Sequence, residues 1–368
     1  MQDKPRYLAL AGVRLEARGC EIELALLLEL PFIREHHAVI GNGGRLHKVA
    51  SGCPYSGGAR TRAIDSPMNG RIICVGNLVH DEVFHVESLP ASGTKTGVLD
   101  YKDRYGGPAA TAAVAICRLG GSASYWGRVG ADPAGETAIR ALRKHGVDCS
   151  GVAVFPEGRT LRAIVLVDRA GERSIVSDRR SLPADPNVLP KTALDGVGVV
   201  LVDSRWPTGA EAALDRARDA GLPTVLDADG GSRADNERLI SMADHLVFSS
   251  EGLRDFAGEG PEASLLRRSQ MKPCQVVAVT RGAAGSLWLI NDEVVLVPAF
   301  RVPVADTTGC GDVFHGAYAL ALCEAQRPLE AARFATAAAA LKAERGLGWD
   351  GMADRPAVDA LLASGQTR

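Results

Sequence analysis

Short apolar runs alternate with alanine-rich segments from residue 68 to about residue 355. Uninterrupted apolar runs of three to five residues are typical of strands that are buried on both faces. The segments between them carry helical patterns bounded by Gly or Pro, as at 208–220 and 331–342. This alternation predicts an α/β domain with a mainly parallel sheet. The predicted buried strands lie at residues 72–75, 199–202, 224–226, 245–248 and 276–280.

Two other stretches, at about residues 83–104 and 161–180, alternate apolar and polar positions. A period of two predicts strands with one face open to solvent. Such strands either project from the main sheet as a lid or extend the central sheet. The residues alone leave both arrangements open.

Residues 1–67 have a different character, with irregular stretches rich in Arg, Gly and His. Their one apolar patch, at 22–32, carries two glutamates, is too short to span a bilayer and lacks a clean signal-peptide core. Three interpretations compete: a disordered extension, an appended helix, or a start upstream of the natural one. Met68 immediately precedes the first predicted strand, so we expect it to be the natural start and the folded domain to cover residues 68–360.

Composition narrows the class of protein further. With 368 residues, 46% hydrophobic content and a net charge of −2, the chain can bury a full core and carries no charge excess for nucleic acid. Its eight cysteines are scattered without a C-x-x-C pair. Buried thiols in a reducing compartment are the expected state. We therefore predict a cytoplasmic protein without a membrane or nucleic-acid partner.

The string DTTGCGDVF at 306–314 carries the most specific chemical signal. A β-like run at 300–305 precedes it and a helical pattern follows. Gly309 and Gly311 allow a tight turn that leaves backbone N–H groups uncovered at a helix start, which suits an anion. Asp312 in the same turn would repel a resting phosphate. Its simplest role is to accept a proton from a hydroxyl that attacks a phosphoryl group.

A structural interpretation of this string is also open. Thr308 or Asp312 could cap the helix, with the glycines merely fitting the turn. The string is not a P-loop, because no Lys-Ser/Thr follows the glycines. It also fits a dinucleotide fingerprint poorly, since Gly316 falls two positions late.

As a whole, the string resembles the C-terminal signature of the ribokinase-like (PfkB) sugar kinases, with Cys310 in place of the usual alanine. Further stretches resemble other family motifs in the family's order, and the resemblance covers about residues 70–355. It implies a three-layer αβα domain with a mainly parallel central sheet and a small β-sheet lid in the two alternating stretches. It also implies ATP and Mg²⁺ as cofactors and a sugar as substrate. The further stretches are RIICVGNLVHDEV (71–83), YGGPAATAAVAICRLGG (105–121), GRVGADPAGE (127–136) and VVAVTRGAAGSLWL (276–289).

The resemblance implies a nucleotide side and a catalytic turn. Asp312 would be the base, and the N–H groups of Gly309, Cys310 and Gly311 would stabilise the transferred oxygens. The alanine-rich helix at 334–341 would line an adenine slot, although such helices are more often simply well packed. The T-R-G corner would lie by the phosphates, or it is a plain hairpin turn. The implied nucleotide-binding residues are Thr280, Arg281, Gly282, Thr308 and Ala338.

The metal sites depart from the family pattern. Relatives carry N-x-x-E with a glutamate that organises Mg²⁺, whereas this chain has Ser249 and Gly252 at those positions. Mg²⁺ is still chemically required for phosphoryl transfer, and the adjacent Glu251 is the expected substitute. Asp306 and the loop near 345–348 correspond to a monovalent-cation site in many relatives, and the sequence leaves open whether K⁺ is retained.

On the substrate side, the resemblance assigns Asp81 to the sugar hydroxyls, and two carboxylate oxygens suit a vicinal diol. Gly106 and Gly107 belong to the family's glycine motif. Pro108 stands where most relatives have Asn, which is instead similar to the branch of 6-deoxy-6-sulfofructose kinases.

In that branch, residues matching Lys95 and Arg205 hold a sulfonate, aided by an Asn where this chain has Ser177. An ammonium and a guanidinium suit a permanently charged group, but Ser177 weakens the assignment. Alternatively, Lys95 is a solvated lid residue and Arg205 pairs with a carboxylate. The segment 178–180, Asp-Arg-Arg, could also form an anion pocket for a phosphorylated sugar.

We therefore expect transfer of the ATP γ-phosphoryl group to a primary hydroxyl of a ketose-type sugar, 6-deoxy-6-sulfofructose being one candidate. Ribokinase, fructokinase and phosphofructokinase activities are alternatives within the family. A nucleoside kinase would need a base pocket around Phe84 and Tyr101, and a non-catalytic sugar or nucleotide sensor would be expected to lose Asp312. Strands with one uncovered face also predict a homodimer in which two lids cover each other.

Overall fold

The computed structural model describes residues 70–367, apart from residues 171, 179, 180, 193 and 272, together with four short strands nearer the N-terminus. The chain divides into two units, Met1–Ser56 and Gly57–Arg368. The apolar patch at 22–32 and Met68 lie outside the described residues, so the expectations about them stay predictions. The strands of the first unit form two antiparallel pairs, β1 (Leu8–Leu10) with β2 (Val13–Leu15) and β3 (Val39–Ile40) with β4 (Leu46–His47).

Nine strands of the second unit form one large, mainly parallel sheet. Their order across the sheet is β17-β16-β15-β14-β13-β12-β5-β8-β9. Only the pairs β15–β16 and β16–β17, at one edge, are antiparallel. The strands are β5 (Arg71–Val75), β8 (Ala123–Gly130), β9 (Val152–Phe155), β12 (Val197–Asp203), β13 (Thr224–Asp227), β14 (His245–Ser249), β15 (Val276–Thr280), β16 (Ser286–Ile290) and β17 (Glu293–Val297).

Helices cover both faces of this sheet. Ile72 and Cys74 of β5 pack in a core with helices α1, α7 and α8, whereas Ile73 and Val75 pack with α3 to α6 on the other face. Successive side chains of a strand point to opposite faces, so continuous apolar runs are needed to fill both cores. The helices are α1 (Pro108–Arg118), α2 (Pro133–Lys144), α3 (Pro207–Ala220), α4 (Arg233–Ile240), α5 (Ser250–Ala257), α6 (Glu262–Ser269), α7 (Cys310–Cys323), α8 (Pro328–Arg345) and α9 (Arg355–Ser364).

This arrangement confirms the predicted three-layer αβα fold with a mainly parallel central sheet. The predicted helices at 208–220 and 331–342 are present and extend to Pro207–Ala220 and Pro328–Arg345. Within the described part of the chain, none of the helices combines the length and the apolar character needed to cross a membrane.

A second, small sheet forms in the two stretches with alternating polarity, as predicted. Its strand order is β11-β10-β6-β7, and only β10 and β6 run parallel. One of its faces exposes large apolar side chains, among them Tyr101, Ile164 and Val176. The strands are β6 (Val79–Val86), β7 (Val98–Gly106), β10 (Leu161–Val167) and β11 (Arg173–Asp178).

The prediction of a β-like run at 300–305 was wrong. Phe300 forms an isolated bridge with Thr367, and the following residues have no strand pairing. Pro303 supplies no N–H for a ladder. The segment is instead held at its end by N–H groups of Ala305 and Asp306, which both donate to the Ala343 carbonyl, at 2.8 and 3.1 Å.

Helices α1 and α7 approach each other closely at Gly316. A Cβ atom placed on Gly316 of α7 would lie 2.5 Å from the carbonyl oxygen of Ala112 in α1. That separation is far below van der Waals contact, so only glycine allows this spacing. Because α1 and α7 begin close to the candidate site, their spacing also sets the geometry there.

We expect Gly316→Ala to lower the free energy of unfolding by roughly 1–3 kcal/mol, the usual cost of overpacking a core. The loss should exceed the gain of about 1 kcal/mol in helix propensity. Urea unfolding measures the change. A suitable control is Gly97→Ala, whose added Cβ would meet no atom within 4 Å. A Gly316→Ala protein as stable as the wild type would contradict the close contact.

Candidate active site

The start of α7 is an uncapped helix terminus. Its N-cap residue, Gly309, has a left-handed backbone with φ of 75°, and no side chain caps the helix. Neither Thr308 nor Asp312 therefore acts as the cap. The helix begins at Cys310, so Asp312 lies in its first turn, where backbone N–H groups lack intrahelical partners. Cys310 N–H donates to the Thr307 carbonyl at 3.2 Å, and the other amides of the turn suit an anion.

Asp312 is half-buried beside this turn. A Cβ atom on Gly309 would lie 3.9 Å from its carboxylate. Burial raises the pKa of Asp312, and nearby His315 and Arg205 partly oppose that rise. The neighbouring carboxylates of Asp203 and Asp229 add to it. A carboxylate whose basicity is raised in this way is suited to accept a proton.

His315, one turn further along α7, is a buried histidine whose two ring nitrogens both lie close to carbonyl oxygens. Its Nδ1 lies 2.8 Å from the Gly311 carbonyl and its Nε2 lies 3.3 Å from the Val247 carbonyl. Asp227 Oδ2 lies 3.5 Å from Nδ1. Burial alone would lower the pKa of His315, but the carboxylates around it outweigh burial and raise the pKa. Only the protonated ring can donate from both nitrogens, so His315 ties the first turn to β14.

Asp203, at the end of β12, joins three segments of the site. Its Oδ2 accepts hydrogen bonds from the N–H groups of Asn77 and Ala109, both at 3.1 Å, and its Oδ1 accepts from Arg205 N–H at 2.9 Å. The carboxyl group is fully buried. Sequence analysis missed this residue. An aspartate that ends a buried strand was the available signal, because ligands bind at the carboxyl edge of parallel sheets.

The predicted substrate residues Asp81, Gly106 and Gly107 lie together. A Cβ atom on Gly106 would lie 2.5 Å from Asp81 Oδ2, and one on Gly107 would lie 2.0 Å from the Asn77 carbonyl. Gly107 also has φ of 98°. Burial raises the pKa of Asp81 to about 6, and Asp312 is close enough to contribute to the rise. The small sheet therefore brings Asp81 towards the helix start.

The other predicted substrate residues divide into two groups. Arg205 lies near Asp312, whose pKa it lowers, and its buried Nε has no hydrogen-bond partner among the described residues. Lys95 is exposed on the connection between β6 and β7, and Ser177 is exposed on β11. No contact in the described part of the chain links Lys95 to Arg205. Residues 179 and 180 of the alternative anion pocket lie outside the described residues.

On the other side of the α7 start lies a mostly apolar cavity of about 340 Å³. The T-R-G corner is a tight connection between β15 and β16, and Thr280 and Gly282 line the cavity while Arg281 pairs with Glu262 at 3.4 Å. Ala338 is buried behind the cavity wall. Its neighbours in α8 form that wall instead. Further lining residues are Cys310, Gly311, Phe314, Thr336, Ala339 and Ala340.

The structure gives a physical reason for Gly252. A Cβ atom at this position would lie 2.3 Å from Asp229 Oδ1. That oxygen accepts a hydrogen bond from Ser249 N–H at 2.8 Å. A glutamate at position 252 would thus displace Asp229. Glu251, the expected metal residue, is exposed in the first turn of α5.

Asp306, the predicted monovalent-cation residue, is surrounded by cationic side chains. Arg104 of β7 lies 3.4 Å from its Oδ2, and Arg173 of β11 lies 3.5 Å from its Oδ1. The ammonium of Lys342, a residue that sequence analysis did not single out, donates to the carbonyl of Thr308 at 3.0 Å. Lys342 sits in an alanine-rich helix, where a lysine usually faces solvent, so the sequence carried no clear signal for this contact.

Known proteins share this fold. The sequence model of the family described as "pfkB family carbohydrate kinase" matches residues 69–350 of this chain. Ribokinase from Haemophilus influenzae is 27% identical over 283 residues, which are 74% of this chain and 92% of that protein. Fructokinase-1 from Zea mays is 30% identical over 231 residues, covering 58% and 72%. The structure of Arabidopsis thaliana ribokinase complexed with ribose and ATP matches with a TM-score of 0.72 and 26% identity, over 80% of this chain and 98% of that one.

The fold, the open helix start and these matches define a carbohydrate kinase. Because the family model spans most of its length, the chain belongs to the pfkB family. The family match confirms that the motifs are those of pfkB family kinases.

We expect Asp203→Asn to destabilise the protein by roughly 1–3 kcal/mol, the cost of leaving a buried donor unpaired. The amide NH₂ would face N–H groups that now donate to a carboxylate. Chemical denaturation measures the loss, with the exposed Asp195→Asn as the control. If the two variants were equally stable, the hydrogen bonds that Asp203 accepts from the three segments would not contribute to stability.

Proposed function

We propose that this kinase transfers the γ-phosphoryl group of ATP to a primary hydroxyl of a ketose-type sugar. One observation carries the proposal: Asp312 lies at an uncapped helix start, between an apolar cavity and the group around Asp81. The cavity suits a flat adenine ring, because alanines and glycines line much of it. Asp81 offers two acceptor oxygens to sugar hydroxyls.

In the proposed reaction, Asp312 accepts the proton of the attacking hydroxyl. A bond forms between that oxygen and the γ-phosphorus, while the bond from phosphorus to the β,γ-bridging oxygen breaks and ADP leaves. The N–H groups of Gly309, Cys310 and Gly311 stabilise the charge on the transferred oxygens. His315 helps to hold the turn in place, because its ring binds the Gly311 carbonyl.

Magnesium is expected to enter with the nucleotide. Among residues 70–367, the described side chains include no group of three or more His, Cys, Asp or Glu that could hold a metal ion. Magnesium bound with substrate phosphates needs only one or two protein carboxylates, so this site fits a metal carried by ATP. Glu251 is the residue proposed to reach it. When bound, the ion neutralises phosphate charge.

A sugar with a terminal anion, such as 6-deoxy-6-sulfofructose, is the finer proposal. Arg205 supports it, since its guanidinium lies near Asp312 and offers a buried Nε without a partner in the described structure. Fork-shaped donors suit a sulfonate or phosphate. Ribose and fructose are the alternatives, because relatives are a ribokinase and a fructokinase.

We also propose that the small sheet closes over the sugar as a lid and that two lids pair in a homodimer. The exposed apolar face that includes Tyr101, Ile164 and Val176 supports the pairing. The mass of the protein in solution tests it. A cytoplasmic location, where ATP is available, belongs to the same proposal.

An assay of ADP formation across ketoses, 6-deoxy-6-sulfofructose, ribose, hexose phosphates and nucleosides tests the function. We expect turnover with at least one ketose-type sugar, and Asp312→Asn should lower kcat by at least about 10²-fold. ATP affinity should change little, because the amides that hold the phosphates remain. Near-wild-type turnover of Asp312→Asn would exclude Asp312 as the base. Turnover with nucleosides alone would favour a nucleoside kinase.

The pH dependence of kcat gives a separate prediction. Because the pKa of Asp312 is raised, its basic form is lost as the pH falls, starting above the usual range of an aspartate. Asp229→Asn removes a carboxylate that raises this pKa, so the acid limb of kcat should move to lower pH. Arg205→Gln removes a cation and should move it to higher pH. Shifts with the opposite signs would contradict the proposed electrostatics.

A further inference from the structure

The loop at 306–311 begins at a carboxylate that the protein already neutralises. Asp306 accepts a hydrogen bond from Thr308 N–H at 2.9 Å and contacts the guanidinium groups of Arg104 and Arg173 at 3.4 and 3.5 Å. Both arginines come from the small sheet. These contacts stabilise the charged form of Asp306, and the pKa of this carboxyl is lowered although burial opposes the change.

Lys342, from helix α8, adds a third cation near this carboxylate. It is fully buried, with 1% of its surface exposed, and its Nζ lies 3.0 Å from the Thr308 carbonyl oxygen. Its charge also contributes to the lowered pKa of Asp306. A buried ammonium is costly unless it is paired and hydrogen-bonded. The Thr308 carbonyl is its hydrogen-bond partner, and the charge of the nearby Asp306 carboxylate also offsets this cost.

We propose that the ammonium of Lys342 serves as the built-in cation of this loop, so that the kinase works without a bound monovalent cation. A potassium ion at Asp306 would add a fourth positive charge beside one carboxylate, next to Arg104, Arg173 and Lys342. Like charges at such separations repel strongly in a partly buried site. The Ala343 carbonyl, a further oxygen at this place, already accepts two N–H groups, those of Ala305 and Asp306.

Lys342 is thus a positioning residue. It holds the Thr308 carbonyl, and the loop that follows supplies Cys310 and Gly311 to the cavity wall and begins α7. A tethered ammonium fixes the loop at every salt composition, whereas a bound ion would fix it only when present. The inference rests on the proposed kinase reaction for its activity readout and on ion binding for its independent readout.

The experiment compares the full chain in potassium chloride and in tetramethylammonium chloride at equal ionic strength. For the wild type, kcat and the melting temperature should be the same in both salts. Lys342→Met should lower kcat by at least about tenfold in tetramethylammonium chloride, the scale for losing a hydrogen bond from a charged group. Potassium should raise both its kcat and its melting temperature, because a free ion can then occupy the vacated position.

The control is Lys144→Met, which removes a lysine that is 74% exposed at the end of α2 and should leave both quantities unchanged. Thallium(I) binding by calorimetry gives a readout without turnover: none for the wild type, and binding for Lys342→Met. Potassium stimulation of the wild type, thallium binding to it, or a Lys342→Met variant that ignores potassium would each overturn the inference. If Lys342→Met does not fold, the two wild-type measurements decide. A wild type that phosphorylates no sugar would refute the proposed function, while the thallium and melting data would still test Lys342.

Discussion

The first turn of α7 must leave backbone N–H groups available for an anion although several carboxylates lie close to it. The carboxylates of Asp203, Asp229 and Asp312 raise the pKa of Asp227, and those of Asp203 and Asp229 raise the pKa of Asp312. Their mutual repulsion would expel them to solvent if nothing opposed it. Backbone N–H donors compensate, and so does His315, whose pKa the surrounding carboxylates raise. The fold is thus the means by which a high density of negative charge is held beside an anion site.

The topology of the large sheet explains why these groups meet. Asp203 ends β12 and Asp227 ends β13, and both strands run parallel, so their carboxyl ends lie at one edge. Thr280 ends β15 at the same edge and lines the cavity. The glycines at 106 and 107 let the small sheet and α1 meet there as well. A parallel α/β sheet collects such residues at its carboxyl edge from distant parts of the chain.

The fold could be predicted because its signals are local. Apolar runs long enough for buried strands and the alternating stretches of the small sheet each indicate their own element. The segment at 300–305 failed, because an apolar run with Pro303 resembles a strand while its N–H groups bond to Ala343 instead. In the site, the turn at 306–312 was found from its own residues. Lys342 and His315 were not, since their partners are set by helix packing across 34 and 68 residues.

Gly252 lies so close to Asp229 that the effect of a substitution at either position depends on the residue at the other. A Cβ atom at 252 and the present Asp229 carboxylate cannot occupy the same space. Introducing a side chain at 252 first would therefore produce a clash, whereas shortening residue 229 first would open the room for it. Residues in such direct contact show non-additive effects when both are changed. A side chain at 252 can therefore be acquired far more readily along one order of substitutions than along the other.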